Sequence, residues 1–344
     1  MNFDLTEDQA LLKATAGRVF SEADDATGSL WNRMTEAGLL AAPFAESDGG
    51  LGLGAVEMMV LAEEAGAAQA VTPYVSAIVT AGAALRLAPE PPRDLIAAVA
   101  EGTTGLAWAH EEAGRDGNSD RAVTATPEDE GWRVSGTKIH VAGIEPAGRL
   151  VLTAMIGSEP AVLCMCIDQP GITRFPNRLF DGQWVHEVVL DQVRVEKADL
   201  LAAGESARLL VTRAVEHAVA WRAAEAVGLM QSVLDATLDH LKTRRQFGTL
   251  LSDFQALRHQ AVDMLVALEQ ARSMAMFAAL TLDETDVTVR ALAMAQVRSV
   301  IGRSSRLVGQ VAVQLHGGIG VTEEHPVGRA FRRLTMIDLE MERG

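Results

Sequence analysis

The hydrophobic pattern changes twice along the chain, and these two changes limit the folds that it can adopt. Residues 1–100 and 205–344 carry apolar residues at helical spacing, whereas residues 101–204 contain short alternating or continuous apolar runs separated by Gly, Pro and Asp. A spacing of three and four residues is typical of helices, and alternation is typical of strands. We therefore expect three domains in this order: an N-terminal helical domain, a middle small β domain and a C-terminal helical bundle. Because helices and strands are segregated, the expected fold class is α+β.

Several individual helices can be located within this pattern. In "LTEDQALLKATAGRVFSEA", Thr6 followed by Gln9 forms a capping box, which predicts a helix start. "AVEMMVLAEEAGAAQ" predicts a second amphipathic helix that ends at Gly66. The apolar residues of the C-terminal part extend around much of the helix circumference, as in a bundle that also packs against another subunit. Three long helices are expected there, at roughly 205–244, 253–282 and 287–315.

Composition excludes several classes of partner. The net charge of −16 argues against a nucleic acid or an anionic membrane held by bulk electrostatics. No uninterrupted apolar run approaches the roughly 18–20 residues of a membrane-spanning helix. The opening residues "MNFDLTEDQALLK" are acidic and lack the apolar segment of a signal peptide, so a cytoplasmic protein is expected.

Two cysteines, Cys164 and Cys166, lie in the apolar run "AVLCMCID". Alternate residues of a strand point to the same side, and neighbours this close do not form an ordinary disulfide. No second cysteine pair completes a zinc site. We expect both to be core thiols of a cytosolic protein and predict no metal site.

Two stretches carry candidate phosphate-binding groups. In "LKTRRQFGTLLSDFQ", Arg244 either complements the dipole of a helix C-terminus or binds a pyrophosphate through its forked guanidinium, with Phe247 and Gly248 as a close-approach turn. In "QLHGGIGVTEEHP", the pair Gly317–Gly318 both caps a helix and allows a ligand to approach the backbone. By contrast, "GGLGLGA" matches a dinucleotide fingerprint only in its letters, because no core strand precedes it.

Together these stretches resemble the acyl-CoA dehydrogenase family. The resemblance rests on "APFAESDGGLGLGAVEMMVLAEEAG", on "RRQFG" followed by "FQ", and on "QLHGGIG" followed by a Glu, a Pro and two Arg; it covers nearly the whole chain. It implies an N-terminal helical domain, a middle β domain and a C-terminal four-helix bundle. It also implies a tetrameric flavoprotein that desaturates an acyl-CoA thioester with FAD and passes electrons to an electron-transferring flavoprotein. By this resemblance, the FAD diphosphate and adenosine of the neighbouring subunit are held by Arg244, Phe247, Gln314, Gly317 and Gly318, whereas the flavin ring lies on the subunit's own β domain.

The β domain departs from the family pattern where the flavin ring is expected. The stretch "AWAHEEAGRDG" has His110 and Glu112 where the family has Thr and Pro. The stretch "GTKIHVAG" has His140 in the position of an aromatic residue and Ala142 in that of a hydroxyl. Since alanine has no side-chain hydrogen-bond donor, either the ring is held differently or this chain's own ring pocket is empty. The histidines are expected to be ordinary, partly buried residues.

The catalytic base implied by the resemblance is also out of place. Its usual position falls on Met341, flanked by Glu340 and Glu342, which are fallback candidates. The family normally continues with a turn and a further helix that fix the base, whereas this sequence stops at Gly344. A second known base position falls on Ala218. Two nearby carboxylates do not fit it: Glu216 is expected to face away, and Glu225 to be a buried partner of a neighbouring helix.

The motifs for the neighbouring subunit's FAD are thus intact, whereas those for this chain's own flavin ring and base are altered. Three hypotheses follow from this asymmetry. In the first, the chain supplies the adenosine-diphosphate half of an FAD site to a mixed tetramer, and a longer homologue holds the base; the resemblance includes short bacterial partners of this kind in steroid side-chain breakdown. In the second, it is a homo-oligomeric acyl-CoA dehydrogenase whose base is Glu340 or Glu342. In the third, it is a scaffold protein that kept the fold and lost FAD.

Overall fold

The computed structural model describes residues 5–21, 27–113, 123–145 and 147–343. Helices precede and follow a block of β-strands, which confirms the predicted α+β class. The first block contains α1 (Glu7–Ser21), α2 (Thr27–Glu36), α3 (Ala55–Ala67), a π-helical segment (Val75–Ala81), α4 (Gly82–Arg86) and α5 (Arg93–Ala100). The last block contains α6 (Glu205–Thr243), a hairpin of β9 (Arg245–Gln246) and β10 (Thr249–Leu250), α7 (Gln255–Thr281), α8 (Val287–His316) and α9 (Pro326–Arg343).

The strands between these blocks form one twisted sheet. They are β1 (Gly105–Ala109), β2 (Thr124–Glu128), β3 (Gly131–Ala142), β4 (Ala147–Ile156), β5 (Glu159–Cys166), β6 (Ile172–Arg178), β7 (Trp184–Glu196) and β8 (Leu200–Ala203). The order across the sheet is β6-β7-β3-β2-β4-β5-β8, and β1 pairs in parallel with β4. Side chains such as Val134, Leu150 and Val188 are fully buried on its inner face.

The capping box at the start of the chain is confirmed. The backbone N–H of Gln9 donates to Thr6 Oγ1 at 3.2 Å, and the N–H of Thr6 donates to Gln9 Oε1 at 3.0 Å. Two donors that the first helical turn leaves without a backbone partner are thereby satisfied. Helix α1 begins at the next residue and packs on α3.

Glycines allow α3 and α6 to pack backbone to backbone. A Cβ on Gly66 would lie 2.0 Å from the carbonyl oxygen of Glu225, and one on Gly228 would lie 1.9 Å from that of Glu63. Both distances are far shorter than a van der Waals contact. The prediction that Gly66 ends its helix is therefore wrong: α3 continues through Gly66 to Ala67, and this glycine serves helix packing.

One of the two cysteine predictions is also wrong. Cys164 is buried, and burial raises the pKa of its thiol to about 12. Cys166, however, is exposed, because it is the last residue of β5 and lies past the covered part of the sheet. Sequence alternation indicates which face of the sheet a side chain lies on, but not how far along the strand that face is buried.

The C-terminal helices form the predicted four-helix bundle from α6, α7, α8 and α9. Helix α7 packs on α8, and α8 packs on α9. Small and apolar side chains at helical spacing form the buried seams, for example Met264, Leu268, Ala271 and Ala275 of α7. A second set of apolar side chains on α7 and α8 is exposed: Val262, Leu265, Val266, Phe277, Leu280, Val289 and Leu292.

The chain folds into two compact units, each built from segments that are separated in sequence. One comprises residues 1–30, 54–71 and 219–344, and the other comprises residues 31–53 and 72–218. The division at residues 100 and 204 stays a prediction. Across the described ranges, no helix has both the length and the apolar character needed to cross a membrane.

Candidate functional site

The loop after α6 presents Arg244 and Phe247 at the surface. Strands β9 and β10 pair with Gln246 opposite Thr249, so Phe247 and Gly248 form a two-residue turn. The side chain of Arg244 makes no hydrogen bond or ion pair with any described residue. Its guanidinium is therefore available to a ligand, with five N–H donors in a forked arrangement.

The turn holds Phe247 in an unfavourable backbone conformation. Phe247 has φ 53° and Gly248 has φ 84°, the two positive values that a type I′ turn requires. Glycine adopts such values readily, whereas a residue with a large side chain does so at a cost of about 1 kcal/mol or more. The Phe247 ring is also 91% exposed and contacts Phe254 only edge-on. Neither packing nor turn geometry accounts for an aromatic residue at this position.

The end of α8 presents the second group. Gly317 caps the helix with φ 66°, and its N–H bonds to the carbonyls of Val313 and Gln314. No atom lies within 4 Å of the point where a Cβ would stand on Gly317 or Gly318. The side chain of Gln314 is exposed and has no hydrogen-bond partner among the described residues. This end of α8 therefore offers open space and a free amide side chain.

A contact between two helix ends brings both groups together. His240, in the last turn of α6, stacks on His316, the last residue of α8, with ring centroids 4.4 Å apart. Arg244 lies one turn beyond His240, and its N–H donates to the His240 carbonyl at 2.9 Å. Gly317 directly follows His316. The two stretches selected from sequence therefore lie at the same end of the bundle; we call Arg244, Phe247, Gln314, Gly317 and Gly318 the loop site.

The loop site suits an anionic ligand that carries an aromatic ring. It combines an unpaired guanidinium, an exposed phenyl ring, a free amide and an unobstructed glycine pair. Charge-assisted bonds from a guanidinium to phosphate oxygens are shorter and about twice as strong as neutral ones. The open glycines and the donor set therefore fit the adenosine-diphosphate part of a dinucleotide.

A separate group of polar residues lies at the ends of β1 and β3 in the sheet. Lys138 is almost fully buried and donates from Nζ to Glu112 Oε1 at 2.5 Å, to the His110 carbonyl at 3.1 Å and to Thr153 Oγ1 at 3.0 Å. His110 Nδ1 lies 3.0 Å from the same hydroxyl. Burial and the nearby Lys138 ammonium lower the pKa of His110. At neutral pH His110 is thus an uncharged ring beside a buried ion pair.

His140 and Ala142 lie where the family resemblance places the flavin ring. His140 has φ 54° at an irregularity in the β3–β7 pairing, and its Nδ1 lies 2.8 Å from Glu111 Oε2. Ala142 contributes its carbonyl oxygen, which accepts a hydrogen bond of 3.0 Å from Ser76 Oγ. This position therefore has no side-chain donor, and an imidazole–carboxylate pair stands close by. The residues here do not reproduce the ring-binding groups that the resemblance implies.

Glu340 belongs to a closed ring of ion pairs inside the bundle. Arg222 binds Glu225 at 2.6 Å and Glu340 at 2.7 Å, and Arg333 binds Glu225 at 2.7 Å and Glu340 at 3.1 Å. We call Arg222, Glu225, Arg333 and Glu340 the Arg–Glu quartet. Each of the four carboxylate oxygens binds a different nitrogen of the two guanidinium groups. Burial alone would raise the pKa of Glu225, but Arg333 and Arg222 outweigh it and lower that pKa to about 2.

Among the described residues, none of the other candidate base positions offers a buried carboxylate without an arginine partner. Met341 is 3% exposed, and Glu342 is exposed at the end of α9. Glu216 is buried and binds Arg213 of its own helix at 3.0 Å. Ala218 is partly buried. Glu225 pairs with Arg333 of α9, which confirms that it is a buried partner of a neighbouring helix.

Known proteins identify the family. Residues 9–90 match the model described as "Acyl-CoA dehydrogenase, N-terminal domain", and residues 210–338 match "Acyl-CoA dehydrogenase, C-terminal domain". Together these ranges cover more than half of the chain. The chain belongs to the acyl-CoA dehydrogenase family. Members of this family are oxidoreductases.

Individual relatives of this acyl-CoA dehydrogenase homologue align over almost its full length. The probable acyl-CoA dehydrogenase YngJ of Bacillus subtilis is 27% identical, covering 98% of this chain and 95% of YngJ. The structure of the Tcur3481-Tcur3483 steroid ACAD G363A variant is 28% identical, with a TM-score of 0.84 over 96% of this chain and 92% of the other. The ChsE4-ChsE5 complex from Mycobacterium tuberculosis has the same fold, at 21% identity and a TM-score of 0.85 over 99% and 95% of the two chains.

Sequence reasoning missed three features of this acyl-CoA dehydrogenase homologue. Local motifs selected the residues of the loop site but did not indicate that His240 stacks on His316. The Arg–Glu quartet pairs residues 108 and 118 positions apart, Glu225 with Arg333 and Arg222 with Glu340, and no rule of local residue spacing reaches that far. The buried Lys138 had one available signal, because it stands in an apolar alternating strand where a charged residue requires a partner.

Proposed function

We propose that this chain is a subunit of an FAD-dependent acyl-CoA dehydrogenase, which forms the α,β double bond of an acyl-CoA thioester. The observation that carries this proposal is the loop site, where an unpaired Arg244 and the open Gly317–Gly318 pair meet at one end of the bundle. Two stretches that are far apart in sequence converge on a surface that fits a diphosphate. Family membership supports FAD as the dinucleotide.

The loop site would act by binding and orienting the cofactor. Arg244 would hold the diphosphate by paired hydrogen bonds, and the Phe247 ring would cover apolar surface of the nucleotide. The glycine pair would let the phosphates approach the backbone. Bound FAD would supply the two-electron oxidation that desaturation requires.

An assembly of several subunits is part of the proposal. Helices α7 and α8 carry exposed apolar side chains on the faces opposite their buried seams, including Leu265, Phe277 and Leu292. Apolar surface of this extent is typical of protein–protein contacts. We propose a tetramer of homologous chains in the cytoplasm, with an electron-transferring flavoprotein as the electron acceptor. The substrate class is a fatty acyl-CoA or a steroid side-chain acyl-CoA.

A second candidate is a non-catalytic partner subunit that contributes only the loop site. The observation favouring it is the state of the ring and base positions: Ala142 lacks a donor, His140 is engaged by Glu111, and both oxygens of Glu340 bind arginines. A general base needs a free lone pair in reach of the substrate proton. A relative whose name joins two proteins, the Tcur3481-Tcur3483 steroid ACAD, supports a mixed assembly for this chain.

The deciding experiment measures FAD per subunit by flavin absorbance. The chain is purified alone, and also after co-expression with a longer homologue that carries a complete base region. About one FAD per chain in the isolated protein supports the homo-oligomeric enzyme. FAD in the mixed complex only supports the partner subunit. Absence of flavin from both preparations, even after incubation with FAD, contradicts the proposal and leaves the scaffold hypothesis.

A further inference from the structure

Three histidines that the proposed function does not use lie directly behind the loop site. His240 and His316 stack with centroids 4.4 Å apart and planes inclined by 29°. His325, the residue before α9, lies 5.1 Å from His316. We call these three residues the histidine stack. The rings of His240 and His316 lie face to face, whereas the His325 ring is tilted by 57° from that of His316. Within the described ranges no group of His, Cys, Asp or Glu is arranged to hold a metal ion.

Backbone contacts fix the hydrogen positions in the stack. His316 Nδ1 donates to the Ala312 carbonyl at 2.9 Å, and a second carbonyl, that of Ala236, also favours the protonated ring. His325 Nδ1 accepts the N–H of Val327 at 3.2 Å, which leaves its Nε2 as the donor. His240 and His316 lie in the last turns of α6 and α8, where the helix dipole favours a positive charge.

Other groups oppose that charge. Burial lowers the pKa of His316, and His325 lowers it further. Burial, His316 and Arg244 lower the pKa of His240, in that order, with a smaller contribution from His325. No carboxylate is among the groups that shift these two histidines. The acidic neighbours in sequence, Asp239 beside His240 and Glu324 beside His325, are both exposed. Glu323 is paired with Arg332, and Arg329 binds the carbonyls of Glu323 and Glu324.

The net effect of these groups lowers the pKa of both His240 and His316, and no anion is among them. An anionic group bound to Arg244 would screen the cation that now repels a proton from His240. Carbonyl acceptors and helix ends would then stabilise the charged ring. His240 and Arg244 are one helical turn apart, and the backbone N–H of Arg244 donates to the His240 carbonyl.

We propose that the histidine stack takes up a proton when a dinucleotide diphosphate binds at the loop site, so that binding tightens as the pH falls. This inference rests on the proposed FAD site. Because the bound state then holds more protons than the free state, linkage requires affinity to rise with acidity. Each whole proton taken up changes the affinity by about tenfold per pH unit.

Calorimetric titration of the flavin-depleted native assembly with FAD tests the inference. Each phosphate of FAD carries one ester and one anhydride bond, so its single acidic group stays ionised between pH 6 and 8 and proton uptake reports on the protein. Titrations at pH 6, 7 and 8 in two buffers of different ionisation enthalpy give the number of protons bound. The expected result is a measurable uptake near neutral pH and an affinity about three- to tenfold tighter at pH 6 than at pH 8.

Variants assign the uptake to the stack. His240→Gln removes the titrating ring at a half-buried position and should abolish most of the uptake, whereas His259→Gln, an exposed histidine of α7, should not change it. FAD binding without proton uptake, or uptake that persists in His240→Gln, overturns the inference while leaving the proposed function intact. Failure of the wild-type assembly to bind FAD overturns both.

A second measurement does not depend on any variant. The imidazole resonances of the wild-type assembly are followed against pH with and without FAD. At least one resonance of the stack should titrate at higher pH in the presence of FAD. Identical titration curves with bound FAD contradict the inference.

Discussion

Arg333 of α9 binds Glu225 of α6 inside the bundle, with Nε 2.7 Å from Oε1. Both side chains are almost fully buried. Each charge has lost its hydration, and only the attraction between the two charges offsets that cost. Arg222 and Glu340 complete the quartet, and its formal charges sum to zero. The pair therefore fixes α9, which carries the expected base position, against the long helix of the bundle.

Removing one charge from the quartet should destabilise the fold. Glu225→Gln keeps the shape of the side chain but leaves two arginines with one carboxylate. We expect the free energy of unfolding to fall by about 3–5 kcal/mol, measured by urea denaturation. Glu205→Gln, at an exposed pair with Arg208, should cost less than about 1 kcal/mol. Equal stability of the two variants would show that the quartet does not hold α9.

The same residue gives a pH dependence with a defined sign. The pKa of Glu225 falls from 4.5 to about 2 on folding. Its contribution to stability is therefore complete above pH 4.5 and is lost as the pH falls through 2. Wild type should lose this contribution on acidification, whereas Glu225→Gln should show a flatter stability profile over the same range. Parallel profiles would contradict the assignment.

Glu340 should behave as a structural residue rather than as the base. Both of its oxygens bind guanidinium groups, so Glu340→Gln should lower the melting temperature, while turnover per folded complex changes less than about threefold. Glu342→Gln, exposed one residue from Met341, serves as the control and should change neither quantity. Loss of a general base typically costs about 10²–10⁴ in rate. A loss of that size at an unchanged melting temperature would make Glu340 the base.

The features that could be predicted from the sequence are those determined by residues close together in the chain. The capping box at Thr6 and the long helices were predictable because helix starts and apolar periodicity are local properties. Three other features could not be predicted from the sequence: the exposure of Cys166 at the end of β5, the α3–α6 contact at Gly66 and the partners of Glu340. Each of these depends on which distant segment packs alongside, and residue spacing carries no information about that.

Arg244 should dominate the affinity for FAD. Hydrogen bonds to charged groups contribute about 1.5–3 kcal/mol each, so Arg244→Ala should weaken FAD binding roughly 10- to 100-fold. Arg244→Lys should recover only part of the loss, because an ammonium cannot form the paired contact. Arg245→Ala removes an exposed arginine from the neighbouring position of the hairpin and should have a smaller effect. Fluorescence titration with FAD measures all three, and equal affinities of Arg244→Ala and wild type would exclude Arg244 from the site.

Phe247 should show opposite effects on stability and binding. Its φ of 53° at the first position of a type I′ turn suits Asn better than Phe. Phe247→Asn should therefore leave the free energy of unfolding unchanged or raise it by about 0.5–1 kcal/mol, since only one edge contact to Phe254 is lost. FAD affinity should fall in the same variant, because the exposed ring is absent.

The matched control is Gly248→Ala in the same turn. Gly248 has φ 84°, and no atom lies within 4 Å of an added Cβ, so any cost arises from the backbone alone. Alanine at this angle should destabilise the fold by about 1 kcal/mol. Opposite signs for two adjacent residues would identify strain held at Phe247 for the benefit of a ligand. If Phe247→Asn is instead less stable than wild type and binds FAD equally well, the ring is a packing element of the hairpin, and the loop site contains only Arg244, Gln314 and the glycine pair.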